Sequence, residues 1–206
     1  MKRLTKDRFE VYFENGIKRY VGQINNNKFN GRGTLYHDDY ILYKGEFKDN
    51  LYHGEGIEYN KDSIIIYNGG FKDGFKDGYG KVYYNDGELK FDGNIHQNCR
   101  YGQGILYLKN GNVRYDGNWV DDKPSGYGKM YYFNGSKKYE GNFILGKFNG
   151  EGILYLPNYF RFEGSFKNDK INGYGTLYYF DSTGHKQKKG YFNDNLQIIC
   201  NDVSEV

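Results

Sequence analysis

The stretch Tyr115–Lys138, YDGNWVDDKPSGYGKMYYFNGSKK, decides how this chain is read. It runs aromatic-x-Gly-x-aromatic, then a polar segment, then Gly-x-Gly, then a short apolar run that closes on Asn134-Gly135. Alone it predicts one β-hairpin. The same pattern returns along the whole chain, and a fixed period of this length is the mark of a repeat architecture. Its first glycine recurs as Gly22, Gly45, Gly69, Gly93, Gly117, Gly141 and Gly164, with a fading copy at Gly190. Nine residues further on stand Gly31, Gly54, Gly78, Gly102, Gly126, Gly150 and Gly173, each followed two residues later by another glycine. Three residues beyond that comes an unbroken tyrosine column: Tyr36, Tyr59, Tyr83, Tyr107, Tyr131, Tyr155 and Tyr178. Seven copies at 23 or 24 residues, with four positions in register, are not chance.

Within a copy the period is two rather than 3.6. In Tyr43-Lys44-Gly45-Glu46-Phe47 the aromatic, glycine and aromatic share one side of a strand, and Lys and Glu share the other. The second position after the third glycine is Leu35, Val82, Leu106, Met130, Leu154 or Leu177, with Glu58 as the exception. One face therefore collects Tyr, Gly, Phe and Leu, while the other carries Lys, Glu and the tyrosine column. Asn85-Asp86-Gly87, Asn110-Gly111 and Asn134-Gly135 predict tight turns between copies. A glycine repeated inside strands marks close approach by something bulky. With flush hairpins Gly45 faces Gly56, and the missing side chains leave slots for neighbouring rings, as at Gly117, Gly126 and Gly128. A single hairpin is marginal in water, so stacking makes the core. The fold class predicted is all-β: an elongated single-layer antiparallel sheet of stacked hairpins.

Three segments follow. Residues 1–19 form a basic lead with a half-copy over Phe9–Arg19. Residues 20–188 hold seven copies, starting at Tyr20, Tyr43, Tyr67, Phe91, Tyr115, Tyr139 and Phe162. Residues 189–206 hold a partial copy and a tail whose Leu196, Ile198 and Ile199 are placed to cover the last hairpin.

Composition agrees. The chain has 206 residues, 27% charged and 19% aromatic, with 30 glycines and two prolines. Disordered chains are poor in aromatics. A net charge of +3 without a basic stripe does not predict nucleic-acid binding. Cys99 and Cys200 share no motif and read as reduced thiols of an intracellular protein. MKRLTKDRF lacks the apolar core of a secretory signal, and no apolar run approaches the ~20 residues that span a bilayer. Lys2 and Val203 exclude the terminal lipidation signals. The expectation is a soluble or peripheral protein.

The pattern Y-x-G-x-[FW]-x(6)-G-x-G-x-[LVM]-Y resembles the MORN (membrane occupation and recognition nexus) repeat over residues 20–188. Ile24, Ile95 and Glu58 depart from it. The resemblance implies a curved single-layer sheet with an aromatic-lined groove. It also implies a scaffold or adaptor at membranes and cytoskeletal structures, in some cases a dimer. Neither flank is long enough for a catalytic domain.

Few residues suggest chemistry. The Gly-x-Gly pairs look like phosphate loops, but no further glycine or P-loop lysine stands at the needed spacing. His37, His53, His96 and His185 lack metal-ligand spacing. No cofactor, metal or catalytic residue is predicted, and the chain reads as a non-enzyme. Trp119 fills the position of Phe47, Phe71, Phe143 and Phe166, which makes it core. The apolar face is larger than a monomer normally exposes. Tyr43, Phe47, Tyr67, Phe71, Tyr115, Trp119, Tyr139 and Phe143 are therefore expected to line a groove for a partner helix or extended peptide. Sheet ends are templates for pairing, which predicts a homodimer through them. The alternative reading is a peripheral membrane protein binding anionic phospholipids or phosphoinositides. Its contacts would be Lys137, Lys138, Lys186, Lys188 and Lys189, helped by Lys2, Arg3, Lys6 and Arg8. Groups this small give only marginal attachment, at about 1 kcal/mol per basic residue. The location expected is cytoplasmic, on the cytoskeleton or the inner face of a membrane.

Overall fold

The computed structural model describes residues 1–156, 160–194, 196 and 198–200, the last three by backbone alone. All regular structure among them is β-strand, antiparallel throughout. The chain forms two compact units, Met1–Tyr101 with Lys109–Gly111, and Gly102–Leu108 with Asn112–Val206.

The first unit holds β1 (Lys2–Arg3), β2 (Arg8–Tyr12), β3 (Lys18–Asn25), β4 (Lys28–His37) and β5 (Tyr40–Lys48). It continues with β6 (Leu51–Tyr59), β7 (Ile65–Lys72), β8 (Phe75–Tyr83) and β9 (Leu89–His96). β10 (Cys99–Tyr107) enters the second unit at Gly102. There follow β11 (Val113–Val120), β12 (Lys123–Tyr131), β13 (Lys137–Ile144) and β14 (Lys147–Tyr155). β15 (Arg161–Lys167), β16 (Lys170–Asp181), β17 (Gly184–Phe192) and β18 (Ile198–Cys200) complete it. Inside each unit, strands adjacent in sequence are adjacent in the sheet. The half-copy expected at the start is β2 paired with the beginning of β3. The tail reaches the sheet as β18 on β17, and the side chains of Ile198 and Ile199 lie outside the described residues.

The turns with two consecutive non-glycine residues at positive φ lie within copies, in the polar segment, rather than between them. Asn26-Asn27, Asp49-Asn50, Asp121-Asp122 and Asn168-Asp169 each hold two consecutive residues at φ between 46° and 72°. Two positive φ values define the two-residue I′ turn, whose twist matches that of paired strands. The second turn residue also binds the preceding hairpin. Asn50 N–H donates to Phe29 O at 3.0 Å, and Phe29 N–H donates to Asn50 Oδ1 at 2.8 Å. Asp169 repeats both bonds with Phe148 at 3.1 and 2.8 Å. Most loops between copies are longer, although Asp38-Asp39 and Ser182-Thr183 also connect strands with two residues. Tyr84 N–H donates to Glu88 O across three residues, with Gly87 at φ 91° and a shift in the ladder beside it. That combination is a three-residue loop closed by a bulge.

The glycine pairs stand flush, as the spacing predicts: Gly45 opposes Gly56, and Gly117 opposes Gly128. The ring that fills each slot belongs to the same hairpin, not to a neighbour. A methyl group on Gly128 would lie 2.6 Å from Cζ of Tyr115, and one on Gly56 would collide with Tyr43. Gly126 is not a slot, contrary to expectation. It turns the strand at φ 78°, and the nearest atom to an added Cβ is Asn118 Cβ at 3.5 Å.

Gly128→Ala is therefore expected to cost about 3 kcal/mol by urea denaturation, the upper end of overpacking penalties. Tyr115→Phe should cost about 1 kcal/mol, the worth of its one hydrogen bond. Leu145 sits at φ 50° with 62% of its surface exposed, in a turn position where other copies carry Asp, Asn or Gln. Left-handed backbone costs a branched L-residue roughly 1–2 kcal/mol, and Asn adopts it readily. Leu145→Asn should raise stability by about 1 kcal/mol in the same assay.

Candidate functional site

The five copies that begin with tyrosine build their ring clusters on one plan. The first tyrosine lies over the glycine pair and turns its hydroxyl back to its own strand. Tyr43 Oη donates to Glu46 O at 3.0 Å, Tyr67 to Gly70 O at 2.9 Å and Tyr115 to Asn118 O at 2.9 Å. Aromatic residues of its own and the next copy then close on it edge-on. Tyr43 meets Phe47 and Phe71 with centroids 5.1 Å apart in both cases, and Tyr115 meets Trp119 at 4.9 Å and Phe143 at 5.1 Å. Edge-to-face pairs add to the energy of burial. Trp119 Nε1 donates to Gly104 O at 2.9 Å, so tryptophan extends a standard position with one additional bond.

The eight residues expected to line a groove are thus placed in the core. Tyr43, Phe47, Tyr67, Phe71, Tyr115, Trp119, Tyr139 and Phe143 expose between 0 and 4% of their surface. Burial drives the Tyr20 phenol up to about 12 and pushes Tyr43, Tyr67, Tyr115 and Tyr139 further above the usual value of 10. In this conformation the rings are closed to solvent.

A second column takes part that the sequence reading passed over. Two residues before the middle glycine stand Phe29, Tyr52, Lys76, Arg100, Pro124, Phe148 and Ile171. Phe29, Tyr52 and Phe148 stack flat on Tyr20, Tyr43 and Tyr139 with centroids 3.8 Å apart. Lys76 replaces the ring with its ammonium, 4.8 Å from the Tyr67 centroid, and meets Glu58 at 2.7 Å. Glu58 is the residue that breaks the apolar column, and Lys76 is its partner across the Tyr67 ring. The two exceptions are one feature. The column stands in constant register seven residues after the first glycine, and reading that position down the copies would have brought it out.

The opposite face is polar and rich in tyrosine. Tyr127, between Gly126 and Gly128, is 53% exposed and donates to Glu140 Oε1 at 2.8 Å. Glu140 is held below the usual carboxylate range by hydrogen bonds from Lys137 first and Tyr127 second. Tyr79 stands equivalently over Asp92 and is 58% exposed. A depression of about 700 Å³ opens on this face in the first unit, among Arg8, Arg32, Lys44, Glu46, Glu55 and Tyr59. The second unit has one of about 600 Å³ among Tyr127, Glu140, Glu151, Glu163 and Tyr174.

The lysines considered for lipid contact do not act as one cluster. Lys137 is bound to Glu140 at 2.7 Å and lies over Tyr155, whereas Lys138 reaches the Tyr132 and Phe148 rings. A register shift between Met130 and Tyr131 separates the two. In β17, Lys186 and Lys188 share one side by strand alternation, and Lys189 lies on the other, near Tyr174. His53 and His96 meet Asp73 and Asp77 at 3.5 and 2.9 Å beside the turns that dock between hairpins. Among the described residues no group of three His, Cys, Asp or Glu side chains could hold a metal.

The model of the MORN repeat matches residues 20–40, 43–63, 67–88, 115–137, 139–161 and 162–184. These make up more than half of the chain, which belongs to the MORN repeat family. No curated protein matches it. The copy beginning at Phe91 falls outside the matched residues. It has Phe91 in place of the first tyrosine and Ile95 in place of the second aromatic, yet it keeps the turn, with Gln97 and Asn98 at φ 48° and 70°. MORN repeats are in general associated with membrane or protein binding, often at membranes or the cytoskeleton, and are generally non-enzymatic. No helix among the described residues is long and apolar enough to cross a membrane.

The raised phenols make a pH prediction. A tyrosine whose folded pKa lies above its unfolded value stabilises the fold fully below pH about 10, and that contribution is lost as pH rises through about 12. Absorbance of tyrosinate near 295 nm should therefore rise in two stages. Exposed tyrosines titrate first, and the buried set appears together with loss of the β-sheet circular dichroism signal.

Proposed function

We propose that the chain is a non-catalytic adaptor. It holds a helix or extended peptide of a partner protein and links it to a cytoskeletal or membrane-associated assembly. One observation carries the reading. The ring stack is closed within each unit, while the tyrosine-bearing polar face keeps aromatic surface open, with Tyr79 and Tyr127 more than half exposed. Tyrosine supplies a large amphipathic contact at small entropic cost and is enriched where binding energy concentrates. The polar rungs on either side supply hydrogen bonds and charge that select the partner. Homodimerisation through the sheet ends belongs to the same reading, since β1 covers β2 only at Phe9 and Glu10.

Affinity capture from the source cell tests this with two kinds of variant. Tyr79→Ala and Tyr127→Ala should each change stability by no more than about 0.5 kcal/mol, as substitutions of exposed side chains do, and together abolish capture of the partner. Tyr115→Phe should leave capture intact. Capture that survives the first pair, or co-sedimentation with anionic liposomes in place of any protein partner, would overturn the proposal.

A further inference from the structure

A cavity of about 970 Å³ lies in the second unit, beside the loops between copies. Tyr132 and Phe133 follow β12, Tyr155 ends β14, Phe160 precedes β15, and Tyr178 lies in β16. Lys137, Arg161 and His185 bring basic groups to it, and no carboxylate is among its described lining residues. The volume is within the range of ligand pockets, which combine apolar walls with a few fixed polar groups.

Arg161 is the unusual member. Its guanidinium carbon stands 4.4 Å from the Tyr178 centroid, so the plane is held against a ring. Nη2 meets Glu163 Oε1 at 2.9 Å. Its Nε is buried and has no acceptor among the described residues. An arginine has five N–H donors, and a buried donor left unpaired is costly. The side chain as a whole is 42% exposed, so the donors within reach of an incoming acceptor are those of the Nη groups rather than the buried Nε. The aromatic walls are fixed as well: Tyr132 Oη donates to Tyr155 O at 3.0 Å, and Lys137 lies 5.2 Å above the Tyr155 ring. Phe133 remains 70% exposed at the rim.

We propose that this cavity binds a peptide segment that sets a carboxylate beside an aromatic ring. The carboxylate takes the open donors of Arg161, near His185, and the ring lies against Tyr132, Phe133 and Phe160. A guanidinium already stacked on a ring is organised for a planar two-oxygen acceptor. Charge complementarity selects against a basic peptide. It also selects against a multiply phosphorylated headgroup, because Lys137 and Arg161 already have Glu140 and Glu163 as counter-ions. The Nη donors of Arg161 that Glu163 leaves unused suit one carboxylate, bound by hydrogen bonds rather than by surplus charge. The site shares no residue with Tyr79 or Tyr127, so it goes beyond the adaptor reading and can fail separately from it.

The test uses the full chain, labelled with ¹⁵N, and two small probes. N-acetyl-phenylalanine carries the ring and the carboxylate, and N-acetyl-phenylalaninamide lacks the charge. The acid should shift the Arg161 Nε–H resonance and the amides of Tyr155 and Tyr178 in a saturable manner. The amide probe, and the acid on Arg161→Gln, should bind about tenfold more weakly, the loss of a charge-assisted hydrogen bond. If Arg161→Gln does not fold, Arg161→Lys reads the same, since it keeps the charge without the planar fork. Equal binding of acid and amide, binding unchanged by substitution of Arg161, or no saturable shift would each overturn the proposal. So would tighter binding of inositol hexaphosphate or phosphatidylserine vesicles than of the acid.

Discussion

The fold rests on a ring placed over a pair of glycines. Two strands that meet at Gly117 and Gly128 leave no side chain on one side, and the Tyr115 ring occupies that space. The arrangement answers a difficulty of any single-layer sheet, which has no second layer to cover its apolar face. Here the cover comes from inside the layer. In that place the tyrosine hydroxyl also bonds a carbonyl three residues ahead, as in Tyr139 to Asn142 at 3.2 Å. Phe91 and Phe162 stand in the same column without that bond and are also buried, which shows that filling the slot matters more than the hydroxyl.

Once the slot is filled, the remaining features follow. A ring fixed over glycine offers its edge to the aromatic residue of the next copy, so each hairpin buries the one before it. Two-residue turns then bind backbone to backbone along the rim, and Asn50 and Asp169 serve both as turn residues and as caps for the preceding hairpin. The same closure decides where interaction can occur. Aromatic residues spent on the stack are lost to partners, and the tyrosines of the other face, set between the glycines and paired with Asp92 and Glu140, remain. A MORN array of this type presents two different surfaces, of which the more hydrophobic by sequence is the less accessible.

Much of this was legible in the sequence. The period gave the architecture, and the parity of Gly45 and Gly56 gave the register of the hairpin. Occupancy was not legible, because spacing alone does not tell whether a ring fills its own slot or a neighbour's, and the two differ by a rotation about one side-chain bond. Gly126 was misread for a related reason: a glycine needed for positive φ and one needed for close approach look identical as letters. Glu58 looked like an isolated irregularity because its partner Lys76 falls in the next copy, and only the sheet brings the two to 2.7 Å beside the Tyr67 ring. Lys137 and Lys138 looked like one basic patch because they are adjacent in sequence, but a bulge gives them different partners. The Arg161 cavity joins residues of three copies and has no local signature.

The ring in the glycine slot can be observed directly by nuclear Overhauser contacts in the full chain. The account expects strong contacts from the Tyr115 ring protons to the α-protons of both Gly117 and Gly128, with the equivalent set from Tyr43 to Gly45 and Gly56. Contacts from those α-protons to rings of other copies, or to water, would contradict it.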